Sequence, residues 1–144
     1  MSGNGALDLR IPSDVRQIEA VVEAVVRRCA EHAFDGRQLA LNLPVALTEA
    51  LSNAILRGNC EDTAKEVRVR LQFIDHAVVV EVEDQGKGFD LDGCTEDPTT
   101  AENLEREDGR GLFLMRALMD TVERYRGDGN VVRLTLHRPR ARAS

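Results

Sequence analysis

Aromatic side chains are scarce in this chain. Trp is absent, Tyr occurs once and Phe four times, about 3% of 144 residues. A surface that stacks the bases of single-stranded nucleic acid needs several aromatic faces, so that class of function is disfavoured. Positive charge is no more available. The net charge is −6, and no dense basic stretch precedes the last few residues. Non-specific DNA binding needs a positive field, so nucleic acid is not expected as a partner. Lysine is nearly missing, with only Lys65 and Lys87 among 19 basic residues, which reads as genome composition and not as chemistry. The three cysteines, Cys29, Cys60 and Cys94, are odd in number, far apart and form no C-x-x-C. They suggest neither a zinc site nor a disulfide framework, and three reduced thiols in a cytoplasmic protein are expected. The start, MSGNGALDLR, has no apolar h-region, so no signal peptide is expected. Apolar runs stop at four or five residues, far short of a membrane span.

What is present is an ordinary globular mixture, with 42% hydrophobic and 31% charged residues. Such a chain can bury one real core without disulfides or metals. A single domain over 1–144 is expected, with its core over about 7–138.

Leu7, Leu9 and Ile11 alternate and stop at Pro12-Ser13, the mark of a short strand. Ser13 is placed to cap a helix, and Val15, Ile18, Val22, Val25 and Cys29 recur at helical spacing, widened by Val21 and Val26. A second helix runs to about Arg57 and ends at Gly58-Asn59. Pro44 is tolerable only in its first turn, so its secure part starts near Leu43. Val67 to Phe73 alternate with Arg68, Arg70 and Gln72. After a turn at Asp75-His76, Val78 to Val82 form a near-continuous apolar strand, which suggests a central position. Residues 90–108 break all periodicity and carry eight acids against one Arg, a net −7. Loops this long in compact domains are functional or disordered. Leu112, Met115, Leu118, Met119 and Val122 mark a third helix, and a hairpin turning at Gly127 to Asn130 closes the chain. The order β-α-α-β-β-loop-α-β-β predicts an α+β fold. Its mixed, largely antiparallel sheet would carry the helices on one face as a two-layer sandwich.

Three constellations carry chemistry. Glu49 and Asn53 are four apart on the second helix and share a face. Ser52 and Asn53 are poor helix formers, each costing about half a kcal/mol relative to Ala, so a helix that keeps them at its centre has a use for them. An Asn carbonyl oxygen is a hard ligand suited to Mg²⁺, and a nearby Glu can accept a proton from an attacking hydroxyl. Asp84-Gln85-Gly86-Lys87-Gly88 follows the apolar strand directly. There Asp84 can accept hydrogen bonds, for example from an exocyclic amine of adenine, and the glycines allow a ligand close to the backbone. Gly109-Arg110-Gly111 opens the third helix, where free N–H groups form a phosphate seat.

In this order, the segments EALSNAILRGN, EDQGKGFD and GRGLFLMRALMD resemble three ATP-binding boxes of one superfamily. That superfamily includes DNA gyrase, the heat-shock chaperone ATPases, histidine kinases and MutL. The resemblance spans about residues 10–138, and no G-x-x-x-x-G-K-[ST] loop competes with it. Within the superfamily the chain most resembles the anti-sigma-factor serine/threonine kinases. Glu49 stands where histidine kinases commonly have Asn, and His32, His76 and His137 lack the context of a phosphoacceptor. A chain of 144 residues is also expected to lack both the dimerisation helix of a histidine kinase and the transducer domain of a gyrase.

The resemblance implies a histidine-kinase-like ATPase fold and a set of roles. Asn53 would hold Mg²⁺, and Glu49 would be the general base on a substrate serine or threonine. Asp84 would bind the adenine amine of ATP in a pocket shaped by Gly86 and Gly88. Gly109, Arg110 and Gly111 would line the phosphates, with 90–108 as an ATP lid; its net −7 should repel a triphosphate, so it is expected to be open or disordered without Mg-ATP. Arg57 could help with phosphate charge. The last strand of the superfamily often opens with Gly-Thr, whose Thr supports the adenine-binding Asp. Here the pair is Gly129-Asn130, and Asn130 could supply a similar bond. The implied partners are an anti-anti-sigma-type substrate protein and a sigma factor, with a homodimeric, cytoplasmic kinase between them. Two other functions fit the same residues. One is an ATP-binding regulatory module without phosphotransfer, the other a detached ATP-binding domain of a histidine-kinase-like system.

Overall fold

A computed structural model describes residues 6–86 and 110–139. Strand β1 (Leu7–Pro12) leads into helix α1 (Ile18–Ala30) and helix α2 (Leu43–Asn53), then strands β2 (Glu66–Ile74) and β3 (Ala77–Glu83). Helix α3 (residues 110–118) precedes the hairpin of β4 (Thr121–Arg126) and β5 (Asn130–His137). The strands form one sheet in the order β1-β2-β3-β5-β4.

All four pairings are antiparallel, so the expected mixed sheet is antiparallel throughout its described strands. β3 and β4 run in the same direction, and β5 lies between them. The near-continuous apolar strand is central, as its composition predicts, with β2 on one side and β5 on the other.

Register assigns the two faces. Val69 lies opposite Val82, which lies opposite Val132, and Leu71, Val80 and Leu134 line up one step along. Val67, Val69, Leu71, Val78, Val80, Val82 and Leu134 are buried against Val21, Val25, Leu43, Leu47, Leu51 and Met115 of the helices. Each such side chain contributes about 1.5–3 kcal/mol. The outer face is a lattice of charge, in which Arg68 pairs with Asp8, Arg70 with Glu81 and Glu83, and Arg133 with Glu81 and Glu123. A one-residue slip would exchange the two sets, so the apolar pattern and the ion pairs specify the same register. The result is the α+β two-layer sandwich expected from the sequence.

Local details depart from the pattern. Ser13 does not cap α1. It is buried, and its Oγ donates to the carbonyl of Lys65 at 2.8 Å. Asp14 caps instead, accepting from the Arg16 N–H at the head of a 3₁₀ turn, Val15–Gln17, so Val15 lies off the buried stripe and is exposed. Helix α2 is longer than Pro44 suggested. A π turn, Gln38–Asn42, precedes it, and the Leu43 N–H reaches back to Gln38 O. This wider turn makes room for a proline that could neither donate nor fit beside the carbonyl four residues earlier. A second π turn, Ala54–Gly58, continues the helix. By length and composition alone Gln38–Gly58 passes as a membrane span. In the fold its apolar face, Leu43, Ala46, Leu47, Ala50, Leu51, Ala54 and Ile55, is the centre of the core.

Val122 is not part of α3. The Asp120 N–H already bonds Thr135 O at 2.9 Å, and Val122 pairs with Leu134 in β4. Apolar spacing continued across the helix end and concealed it. Among the cysteines, Cys29 is free and buried, with burial pushing its thiol up to about 12. Cys60 is disulfide-bonded. The expectation of three reduced thiols therefore fails at Cys60, because spacing along the chain does not report which cysteines pair. The candidate lid at 90–108, with Gly88 and Gly109, lies outside the described residues.

Candidate functional site

One continuous helix supplies both ends of the site. Glu49 and Asn53 lie one turn apart on α2, both partly exposed. The start of α3 presses against them. A β-carbon on Gly111 would sit 3.0 Å from Glu49 Oε2 and 3.4 Å from Asn53 Nδ2. Gly111 is buried, and its missing side chain lets backbone stand where a methyl would crowd the pair. Arg110, one residue earlier, is exposed, and Arg57 lies half-buried on the π turn one helical turn beyond Asn53.

The far end of the same helix meets Asp84. This carboxyl is 7% exposed and sits directly over Gly58, where any β-carbon would overlap Asp84 Oδ2. A β-carbon on Gly86 would overlap the Gly58 carbonyl, and one on Gly129 the Asp84 carbonyl. Three glycines from three segments therefore bring backbone into contact around one acid. Asp84 Oδ1 accepts from the Gly86 N–H at 2.8 Å and from Asn130 Nδ2 at 3.1 Å. The Asp84 N–H donates to Asn130 O at 3.0 Å. No hydrogen bond among the described residues falls on Oδ2. Burial pushes this carboxyl above the ordinary range, and the bonds from Gly86 and Asn130 and the charge of Arg126 only partly offset it.

A buried amide holds the Asp84 loop in place. Asn59 is fully buried, and its Oδ1 accepts from the Gln85 N–H at 2.7 Å. Its Nδ2 donates to Ser13 Oγ at 2.9 Å and to Glu66 O at 3.0 Å. Gln85 Oε1 accepts in turn from the Glu66 N–H at 2.6 Å. Nearly all the hydrogen-bonding capacity of Asn59 is thus spent tying the end of β3 to the start of β2.

The structure brings the predicted residues together as two clusters, Glu49, Asn53 and Gly111 at one end and Asp84, Gly86 and Asn130 at the other. Arg57 lies on the helix between them. The sequence reading missed Gly58, Asn59 and Gly129 as site residues. Gly58-Asn59 carries a helix-stop signal and Gly129 a turn signal, and those readings accounted for them fully. Among the described residues no group of three or more His, Cys, Asp or Glu could hold a metal. Asn53 carries a hard amide oxygen of the kind that can serve as a metal donor.

Residues 11–136 match the family model described as the histidine kinase-like ATPase domain. The chain is 33% identical over 137 residues to the serine-protein kinase RsbW of Bacillus velezensis, covering 90% of this chain and 83% of that one. It is 28% identical over 138 residues to the anti-sigma F factor of Caldanaerobacter subterraneus subsp. tengcongensis, covering 94% and 95%. Among solved structures, that of the RsbU and RsbW domains of Rv1364c from Mycobacterium tuberculosis superposes with a TM-score of 0.66 at 19% identity. The match covers 92% of this chain and 32% of that one, and it is a likeness of fold.

Proposed function

The chain belongs to the histidine kinase-like ATPase family, and from that membership we propose that it is an ATP-dependent serine/threonine protein kinase of the anti-sigma type. Its substrate would be an anti-anti-sigma-type protein, and it would sequester a sigma factor as a homodimer in the cytoplasm. The names of its relatives support this reading, since they are serine-protein kinases and anti-sigma factors. The Cys60 disulfide is one that a reducing cytoplasm would open.

The observation that carries the proposal is the placing of Glu49 and Asn53 at the middle of one helix and of Asp84 over its C-terminal end at Gly58. Glu49 and Gly58 are nine residues apart, roughly 14 Å along the axis. That separation suits an extended nucleoside triphosphate with its base at Asp84 and its terminal phosphate beside Glu49. Asp84 Oδ2, which no described residue bonds, accepts from the adenine amine beside Gly86, and the resemblance assigns Gly88 to the same pocket. Backbone N–H groups at the start of α3, at Arg110 and Gly111, face the phosphates, with Arg110 adding charge, and the resemblance assigns Gly109 to the same seat. Arg57, on the helix between the two clusters, supplies a further positive group for the phosphates.

The residues present fit a magnesium ion held through one protein oxygen. Asn53 offers a hard donor, and Gly111 leaves no side chain to intrude. When bound, the ion neutralises phosphate charge. Glu49 accepts the proton of the substrate hydroxyl as its oxygen bonds to the γ-phosphorus and the bond to the β-phosphate oxygen breaks, leaving ADP and a phosphoester.

The test is transfer from γ-labelled ATP to candidate substrate proteins encoded beside this one. Glu49→Gln should slow transfer at least about a hundredfold while ATP affinity stays near that of the native protein. Transfer that survives this change removes the proposed base. Label lost in acid would mark phosphohistidine and a histidine-kinase-like system. ATP binding without transfer to any partner would leave a regulatory module.

A further inference from the structure

We propose that Arg126 is a positioning residue for adenine recognition in this chain, acting through Asn130 on the Asp84 carboxylate. The inference rests on the assignment of Asp84 to the adenine amine made above. Arg126 ends the edge strand β4 and lies directly across from Asn130 in the β4–β5 hairpin. Its Nη1 donates to Asn130 Oδ1 at 3.2 Å, and Asn130 Nδ2 donates to Asp84 Oδ1 at 3.1 Å.

The three groups are directional. A guanidinium can only donate, and an ionised carboxylate can only accept. The amide between them satisfies both in a single orientation, with oxygen towards Arg126 and nitrogen towards Asp84. Reversing it would break both bonds at once.

A threonine here, as the superfamily resemblance leads one to expect, would need no third group. Its single hydroxyl reaches the carboxylate on a short, stiff side chain. Asparagine is longer, has a second torsion and can flip, so it holds an acid steadily only when its other end is also held. Arg126 does this from the surface without touching Asp84. Oδ1 is thereby engaged, and Oδ2 lies packed over Gly58 with no hydrogen bond from the described residues. The same guanidinium lends its field to the ionised form of the carboxyl.

Binding of ATP and of inosine triphosphate to the full-length protein tests the relay, because inosine has a carbonyl where adenine has the amine. Arg126→Ala should bind ATP about five-fold more weakly, the size of one partly exposed hydrogen bond, and should bind inosine triphosphate as the native protein does. In the Asn130→Thr background the same change should cost ATP less than about two-fold, the signature of coupling between the two positions. Unchanged thermal unfolding of Arg126→Ala without nucleotide shows that the fold is intact. Equal losses for both nucleotides, no loss for either, or an undiminished ATP loss in the Asn130→Thr background would overturn the relay. Asp84→Asn separates the two readings. If it leaves ATP affinity unchanged, the adenine assignment falls and the relay with it. If it weakens ATP while Arg126→Ala does not, only the relay falls.

Discussion

Glu81 and Asp84 are three residues apart, on and just beyond the same central strand, yet they meet opposite surroundings. Glu81 faces outward into the charged lattice. Its Oε2 accepts from Arg133 Nε at 3.1 Å, from Arg133 Nη2 at 3.0 Å and from the Tyr125 hydroxyl, while Arg70 lies 3.5 Å from Oε1. Burial pushes Glu81 up, but these bonds and charges outweigh it and hold the carboxyl below its ordinary range. Asp84 lies at the strand end among glycine backbone, and its hydrogen bonds from the described residues come from neutral donors. Burial therefore wins, and its carboxyl is raised. An acid paired on all sides has completed its bonding inside the protein and serves the sheet. An acid with one oxygen that no described residue bonds keeps part of its bonding capacity for a partner beyond them.

The comparison breaks most sharply if Asp84 is pushed off Gly58. Gly58→Ala puts a methyl where Asp84 Oδ2 sits, and displacing that oxygen should weaken ATP binding by about a hundredfold, combining a packing conflict with the loss of a hydrogen bond to a charged group. Titration calorimetry would measure it, and native-like affinity would show that Oδ2 does not face the nucleotide. Glu81→Gln is the converse. It should lower stability to urea by about 1 kcal/mol, a modest value because its guanidinium partners are partly exposed, and should leave ATP affinity unchanged.

The smallest expected effect concerns pH, and its sign distinguishes the two acids. The contribution of Glu81 is present above its ordinary value of 4.5 and is lost as pH falls through its lowered folded value. Asp84 works in reverse. Its burial costs nothing below its ordinary 3.8, and the cost grows as pH rises through its raised folded value. Relative to the native protein, Asp84→Asn should gain thermal stability from acid to neutral pH while Glu81→Gln loses it, each by about a few degrees. Slopes of the same sign for both variants would remove the distinction.

Much of the fold was legible because period-2 and period-3.6 patterns report burial directly. Val67 to Phe73 and Val78 to Val82 declared their strands, and Leu47 to Ile55 declared the buried face of α2. The pattern failed where burial continues through a change of element. Val122 keeps the apolar spacing of α3 although it lies on β4, and the π turn ahead of Pro44 has no signature in residue type. Glu49, Asn53 and Asp84 stood out as polar residues in costly places. Asn59, Gly58 and Gly129 did not, because each also satisfies an ordinary helix stop or turn.

The sequence by itself determined which faces are buried, how many elements there are, and the polar pair on α2, since all of these depend on near neighbours along the chain. Only the tertiary structure decided that β5 separates β3 from β4. It also seated Asp84 on Gly58 and Gly129, made Asn59 the tie beneath the Asp84 loop, and let Asn130 be held from Arg126. These are contacts between segments distant in sequence, and their geometry follows from packing one sheet against one layer of helices, which no local pattern encodes.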